Sequence, residues 1–375
     1  MNRNTREMTR VLPRELLMNI LSRLPVKTLC KFRCVSREWR NLISDRHFIN
    51  LHSDRSKRKP KLVFKRFKLN YDSRRNSYQV AIQLSTVDAK EGNLSNKFTK
   101  VVDERYINSW VPGSNLLMCV VCFKSVYVCN PSTEEVVKLP DPCHLFIYQS
   151  FGFGFLPMRN EYKLVHLWTQ YDGRLACEIF TLEDGRESNS GSWRLTGFCP
   201  SFIWEGHSPV SVDGVVYWLG WDQDEPEDNK HLVSLDLYTE EFRIVPYPSH
   251  FSSVTFIDVD LDFMSLVELR GCLCLVDNVS MNAVMNVWML KDRENLIWEK
   301  LYSINFNGLD GDDDCLFCSP MDDRDGEVLV ESNDGKLFIY NLENKTFKKA
   351  EDLNRYGDFP CLFFDNFFSL GTRGN

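Results

Sequence analysis

The chain has 375 residues, 43% hydrophobic and 13% aromatic, enough for a large core, which excludes a globally disordered chain. Its longest apolar run, Leu116 to Phe123, is far below the roughly 20 residues that span a bilayer, and the polar start MNRNTREMTR has no signal-peptide core. The formal charge of −7 is uneven: residues 1–75 hold 21 Lys and Arg against 6 Asp and Glu, and the rest holds 24 against 46. No membrane contact is expected, and the location expected is the cytoplasm, the nucleus or both. The thirteen cysteines follow no regular framework. Cys119, Cys122, Cys129, Cys272 and Cys274 sit in apolar runs, as free buried thiols do in a reducing compartment.

Residues 1–10 are read as a flexible N-terminus. Residues 12 to 48 then pack three short amphipathic helical patterns into fewer than forty residues. Pro13 suits a first helical position, where its missing N–H costs nothing. Glu15 complements the helix dipole in the first turn. Leu16, Leu17, Ile20, Leu21 and Leu24 then recur on one helical face. Pro25 ends that helix and starts the next, which carries Leu29, Phe32 and Arg33. Ser36 is the expected N-cap of the third, with Trp39, Leu42 and Ile43 on one side and Arg33, Arg37 and Arg40 on the other. A helical cluster this small needs association to stand alone. It fits either a cap on the following domain or a docking module that completes its core on a partner.

The string LPRELLMNILSRLPVKTLCKFRCVSREWRNLISDRHF resembles an F-box in the form seen in a large plant family. The matching positions are Leu12-Pro13, Glu15, Leu16, Ile20, Leu21, Leu24 to Lys27, Leu29, Phe32 to Ser36, Trp39, Leu42-Ile43, Asp45 and Phe48. In that family the module binds a Skp-type adaptor and thereby joins a cullin-based ubiquitin ligase. The resemblance implies that Leu12, Pro13, Leu16, Ile20, Leu24, Pro25, Val26, Leu29, Val35 and Trp39 form the adaptor face and the small core behind it. The F-box is placed at residues 11–52.

A basic run follows: Arg55, Lys57, Arg58, Lys59, Lys61, Lys65, Arg66 and Lys68. It reads as a solvated linker over 53–60 leading into a strand edge, or as a nuclear-localisation patch. No nucleic-acid fold signature accompanies it and the larger body is acidic, so nucleic-acid binding is not expected as the main role.

Past residue 60 the pattern changes to short alternating strands. Five apolar strands look alike: Val126 to Asn130, Glu178 to Leu182, Leu232 to Asp236, Val287 to Leu290 and Leu337 to Asn341. Each is followed by a polar turn and a second strand. With Asn130, Leu182, Asp236, Leu290 and Asn341 as equivalents, the steps are 52, 54, 54 and 51 residues. Gly113, Gly214, Gly271 and Gly326 each precede a further apolar strand. A period near 50 is that of a kelch-like propeller blade. An array of two-sheet sandwiches with an accidental period is the alternative. Residues 61–372 hold about six such units, which predicts six blades, with Lys61 to Val111 as a degenerate first one. The run from Cys361 to Phe368 is the expected source of a ring-closing strand.

The segments CNPSTEEVVKLP, FGFGFLPMRNEYKLVHLW, VDGVVYWLGW, LVSLDLYTEEFRIVPYP, GCLCLV and MNVWMLKDRENLIWEKL resemble, in order, the F-box-associated domain of the same plant family. Phe155-Leu156 stand where the family usually has Tyr-Asp. In the family this domain carries the substrate, which differs widely between members.

No catalytic motif occurs. The seven histidines are scattered, and Gly152-Phe-Gly154 lacks a third glycine. The two Cys-x-x-Cys pairs, Cys119/Cys122 and Cys315/Cys318, lie in apolar strand-like runs, where i and i+3 point to opposite faces, so zinc is not expected. The acidic clusters Asp222 to Asp228 and Asp310 to Asp314 read as solvated loops or as an acidic rim for a basic substrate. The expected protein is therefore an N-terminal all-α F-box of three helices followed by an all-β propeller. Its expected role is a non-catalytic substrate-recognition subunit of a Skp–cullin–F-box ligase, with no cofactor or metal and with an unknown target protein. The rivals are a propeller that docks the adaptor outside a ligase and a propeller enzyme.

Overall fold

The structure, a computed structural model, describes residues 12–73, 76–104, 107–112, 118–122, 125–142, 149–185, 191–204, 206–221, 230–248, 264–279, 283–307, 309, 317–356 and 360–371. A small helical module leads into a β-propeller.

The module has four helices before the first strand: α1 (Arg14–Leu21), α2 (Val26–Phe32), α3 (Arg37–Ile43) and α4 (Arg46–Arg58). The sequence pattern predicts three, with a linker over 53–60. Asp45 caps α4 by accepting from the His47 N–H at 2.8 Å, and Phe48 and His52 bury one face. Arg55, Lys57 and Arg58 occupy its last turn, where cations suit the dipole. The basic run is thus mostly the end of a helix and the strand after it. Pro13 and Pro25 sit at N-cap positions, one residue earlier than expected, because their ψ of 140° and 145° is extended. Ser36 caps α3, its Oγ accepting from the Trp39 N–H at 3.1 Å. Met18, Leu21, Val26, Leu29, Leu42, Ile43 and Phe48 form the module's core, joined by Phe367 from the C-terminal end.

The described strands form six antiparallel sheets. The second runs Ile107–Pro112, Met118–Cys122, Ser125–Asn130, Glu135–Lys138. The third runs Gln149–Leu156, Glu161–Thr169, Leu175–Glu183, Arg194–Phe198. In the fourth, Phe202–Ile203 and Val210–Val212 both pair with Val215–Trp221, which leads to Lys230–Asp236 and Phe242–Pro246. The fifth runs Met264–Leu269, Cys272–Val279, Val284–Asp292, Ile297–Asn305, and the sixth Cys318–Arg324, Glu327–Ser332, Leu337–Asn341, Thr346–Lys349. The first strands of neighbouring sheets touch one another, so they lie innermost. The five look-alike segments of the sequence are the third strands of sheets two to six.

The first sheet closes the ring. Its order is Cys361–Phe363, Lys61–Asp72, Ser77–Asp88, Leu94–Val102, so the C-terminal strand takes the innermost place beside the first one. Lys61 pairs with Phe363 and Val63 with Cys361. Only three residues of the apolar C-terminal run serve as that strand. Ile107–Pro112 belongs to the second sheet, not to the expected first unit ending at Val111.

Local chemistry explains the period. Asp213-Gly214, Arg270-Gly271 and Asp325-Gly326 have positive φ at both positions, the two-residue hairpin turn that matches strand twist. After the third strands of the second, fourth, fifth and sixth sheets, a side-chain oxygen caps the next turn. Asn130 accepts from Ser132 N–H, Asp236 from Tyr238 and Thr239, Asp292 from Glu294 and Asn295, and Asn341 from Glu343 and Asn344. In the fifth sheet the equivalent residue is Asp292 rather than Leu290, since a register shift between them inserts a residue.

Candidate docking site

The ten residues expected at the adaptor face separate into three groups by burial. Val26 and Leu29 are wholly buried and belong to the core. Leu24 and Trp39 are half-buried, with Trp39 edge-on to Phe32 at 5.1 Å between centroids. Leu12, Leu16, Ile20 and Val35 remain 49%, 48%, 46% and 66% exposed, and Pro13 and Pro25 are exposed as well. Leu12, Leu16 and Ile20 are spaced four apart, so they form one stripe along α1 and the turn before it. The opposite side of α1 puts Met18 and Leu21 into the core. Removing the three stripe side chains from water on a partner is worth about 1–2 kcal/mol each, since roughly half of each is still exposed. Arg14, beside the stripe, pairs with Asp45 at 2.6 Å and so ties α1 to the cap of α4.

The module is braced against the propeller by the segment after the closing strand. Phe367 enters the helical core, where the Arg33 guanidinium lies 5.1 Å from its ring centroid. Phe368 and Leu370 enter the core between the second and third sheets. Asn130, fully buried, donates to Asn366 Oδ1 at 2.9 Å and to the Phe368 carbonyl at 2.7 Å. Asp365 meets Lys61 at 2.5 Å and accepts from Ser132 at 3.1 Å. Lys27 of α2 reaches Glu134 at 2.7 Å, and Arg324 of the sixth sheet donates to the Lys57 carbonyl of α4. Residue spacing along the chain does not predict this brace. Its only signal was that the C-terminal apolar run was longer than one strand requires.

The chemical candidates resolve into packing wherever they are described. A Cβ on Gly152 would lie 2.8 Å from Trp218 and Val216, and one on Gly154 would strike Leu237 and Ser211. The Gly-x-Gly therefore lets the third sheet approach the fourth. Cys177, Cys199 and Cys274 are buried, and desolvation pushes each thiol up to about 12, which leaves them unreactive near neutrality. Cys318 is buried; Cys315, both acidic clusters and the side chains of Cys119 and Cys122 lie outside the described residues. Among the described residues no group of three metal-ligating side chains converges. No described helix is long and apolar enough to cross a membrane. A buried pair the sequence did not signal, His166 Nδ1 to Glu178 at 2.8 Å, sits with Phe151 stacked at 4.4 Å.

Comparison with known proteins agrees with this division of the chain. Residues 11–51 match the F-box domain family, and residues 62–358 match the F-box associated beta propeller domain family. The F-box/kelch-repeat protein At3g23880 of Arabidopsis thaliana is 28% identical over 376 residues, covering 92% of this chain and 93% of the relative. The F-box protein At4g19940 of the same plant is 24% identical over 371 residues, covering 91% and 85%. Among solved structures, an oligogalacturonate lyase in complex with manganese aligns over 78% of this chain and 85% of its own, at a TM-score of 0.41 and 11% identity, too distant to bear on activity.

Proposed function

Because the chain belongs to the F-box proteins that carry an F-box-associated β-propeller, we propose that it is the substrate-recognition subunit of a Skp–cullin–F-box ubiquitin ligase. The observation that carries this reading is the stripe of Leu12, Leu16 and Ile20, left exposed by a helix whose other face is packed. That is the geometry of an amphipathic helix awaiting a partner groove. The stripe, with Pro13, Pro25 and Val35 nearby in sequence, docks a Skp-type adaptor, and the adaptor brings the cullin. Val26, Leu29 and the inner sides of Leu24 and Trp39 hold the stripe in shape from behind.

The propeller, a ring in which each of the six sheets serves as a blade, holds a target protein. No side chain of this chain performs chemistry. Ubiquitin transfer is promoted by proximity, since a held target meets the charged enzyme at a high effective concentration. The brace through Phe367 supports this role, because a fixed module keeps the distance between adaptor and target defined. The complex works in the cytoplasm, the nucleus or both.

Affinity purification of the full chain from plant cells tests the reading. Wild type is expected to bring down a Skp-type adaptor and a cullin, and Leu16→Asp/Ile20→Asp neither. Loss of the cullin alone from the wild-type complex would contradict the ligase role. Loss of the adaptor as well would contradict the docking site.

A further inference from the structure

The first hairpin of the propeller carries a surface that neither ring closure nor module docking uses. Its two strands, Lys61–Asp72 and Ser77–Asp88, are each 12 residues long and paired from end to end. The ring-closing strand covers the first of them only from Lys61 to Val63. From Arg66 to Tyr71 every residue is exposed. Phe67, Leu69 and Tyr71 alternate onto one face, where Tyr71 stands opposite Tyr78 with centroids 5.2 Å apart. Leu69 and Tyr71 are 54% and 55% exposed, and Tyr78 is exposed too. Arg66 and Lys68 take the other face. The strand leaves the helical module at Lys61 and spans about 36 Å at the usual rise per residue, so its far end lies well removed from Lys61.

Charge selects the occupant. Residues 65–75 hold five cations and one carboxylate, whereas the chain beyond residue 75 is strongly acidic. A basic, aromatic patch beside an acidic propeller body attracts a negative partner, and the propeller beyond residue 75 repels that partner. Leu69 offers an aliphatic contact rather than a stacking plane, which suits a peptide better than a nucleic acid.

We infer that this ribbon grips an acidic segment of the target protein, one that interleaves Asp or Glu with large apolar residues. The apolar side chains lie against Leu69, Tyr71 and Tyr78, and the carboxylates meet Arg66 and Lys68. The inference rests on the reading of the chain as a target-binding subunit and assigns one part of its target surface.

Panning random dodecapeptides displayed on phage against the full chain in complex with the adaptor tests it. The enriched peptides are expected to be acidic and apolar, to weaken at least tenfold on Leu69→Ser/Tyr71→Ser and about fivefold on Arg66→Gln/Lys68→Gln, and to bind less well as salt rises. Thermal unfolding of each variant at the wild-type midpoint establishes that the ribbon still folds. Enriched peptides that are basic or neutral, an absence of enrichment, equal binding to the variants, or tighter binding of a single-stranded 20-nucleotide RNA would each overturn the inference. Adaptor capture is expected to be unchanged in these variants. Its failure in wild type would count against the parent reading instead, so the two failures are distinguishable.

Discussion

Phe367, near the C-terminal end, stands edge-on to the His52 ring of α4, with centroids 5.0 Å apart. His52 in turn hydrogen-bonds the Leu24 carbonyl at 3.1 Å. The segment that follows the ring-closing strand and the first helices of the chain therefore share one core. Module placement is thus tied to the ring by an aromatic side chain as well as by the Lys27–Glu134 pair and the Arg324 contact to α4.

Phe367→Ala is expected to cost about 3 kcal/mol, the usual scale for removing a buried aromatic ring. The loss should fall on the module and its attachment, with the ring left closed by the pairing of Lys61–Val63 to Cys361–Phe363. Limited proteolysis should release residues up to about 60 faster than in wild type, leaving a resistant propeller. A variant with unchanged cleavage would mean that the brace does not hold the module.

Acid should loosen the same junction. Burial pushes the His52 pKa below its ordinary value, only partly offset by the Leu24 carbonyl and Asp365, with Lys61 and Arg55 also pressing it down. The unfolded chain then binds the proton first as pH falls. The stabilisation is fully present above about pH 6.5 and is lost as pH drops toward the depressed value. Between about pH 7.5 and pH 5.5 wild type is expected to lose more thermal stability than His52→Gln, which does not titrate. Equal losses would remove His52 from the account.

Between the third and fourth sheets, Lys163 is buried and reaches Glu240 at 2.7 Å and the Leu237 carbonyl at 2.7 Å. Arg194 meets the same carboxylate at 2.6 Å. Desolvation raises the Glu240 pKa, but hydrogen bonds from Arg194 and Lys163 outweigh it and leave the carboxyl below its usual value. Lys163→Ala is expected to cost about 3 kcal/mol, since it strands a partly buried carboxylate and the Leu237 carbonyl. Lys163→Met/Glu240→Gln should recover part of that loss in a denaturant titration. A double variant as weak as the single one would contradict a charge-pair strut.

The helices and repeated strands were legible because both depend on local, periodic signals. Leu16, Ile20 and Ser36 announce helices by spacing and capping, and the third strands recur with an Asn or Asp that caps the following turn. Helix α4 escapes the sequence pattern because its C-terminal half, His52 to Arg58, has no apolar residue, so the buried side is marked only near its start by Phe48, Ile49 and Leu51 and by His52. The register of the fifth sheet slipped because a bulge between Leu290 and Asp292 leaves the apolar pattern intact while moving the capping residue. Phe367 could not be placed from sequence. Its partners Phe48 and His52 are far away along the chain, and an apolar run reads the same whether it pairs in a strand or plugs a core. The exposed half of the docking face was equally hidden, since Leu16 and Leu29 look alike until burial separates them.

Calorimetric titration of a purified Skp-type adaptor into the full chain tests the central claim most directly. Wild type should bind with one-to-one stoichiometry, and Leu16→Asp/Ile20→Asp should weaken binding by at least a hundredfold while unfolding at the wild-type midpoint. Equal affinity in the folded variant would contradict the account.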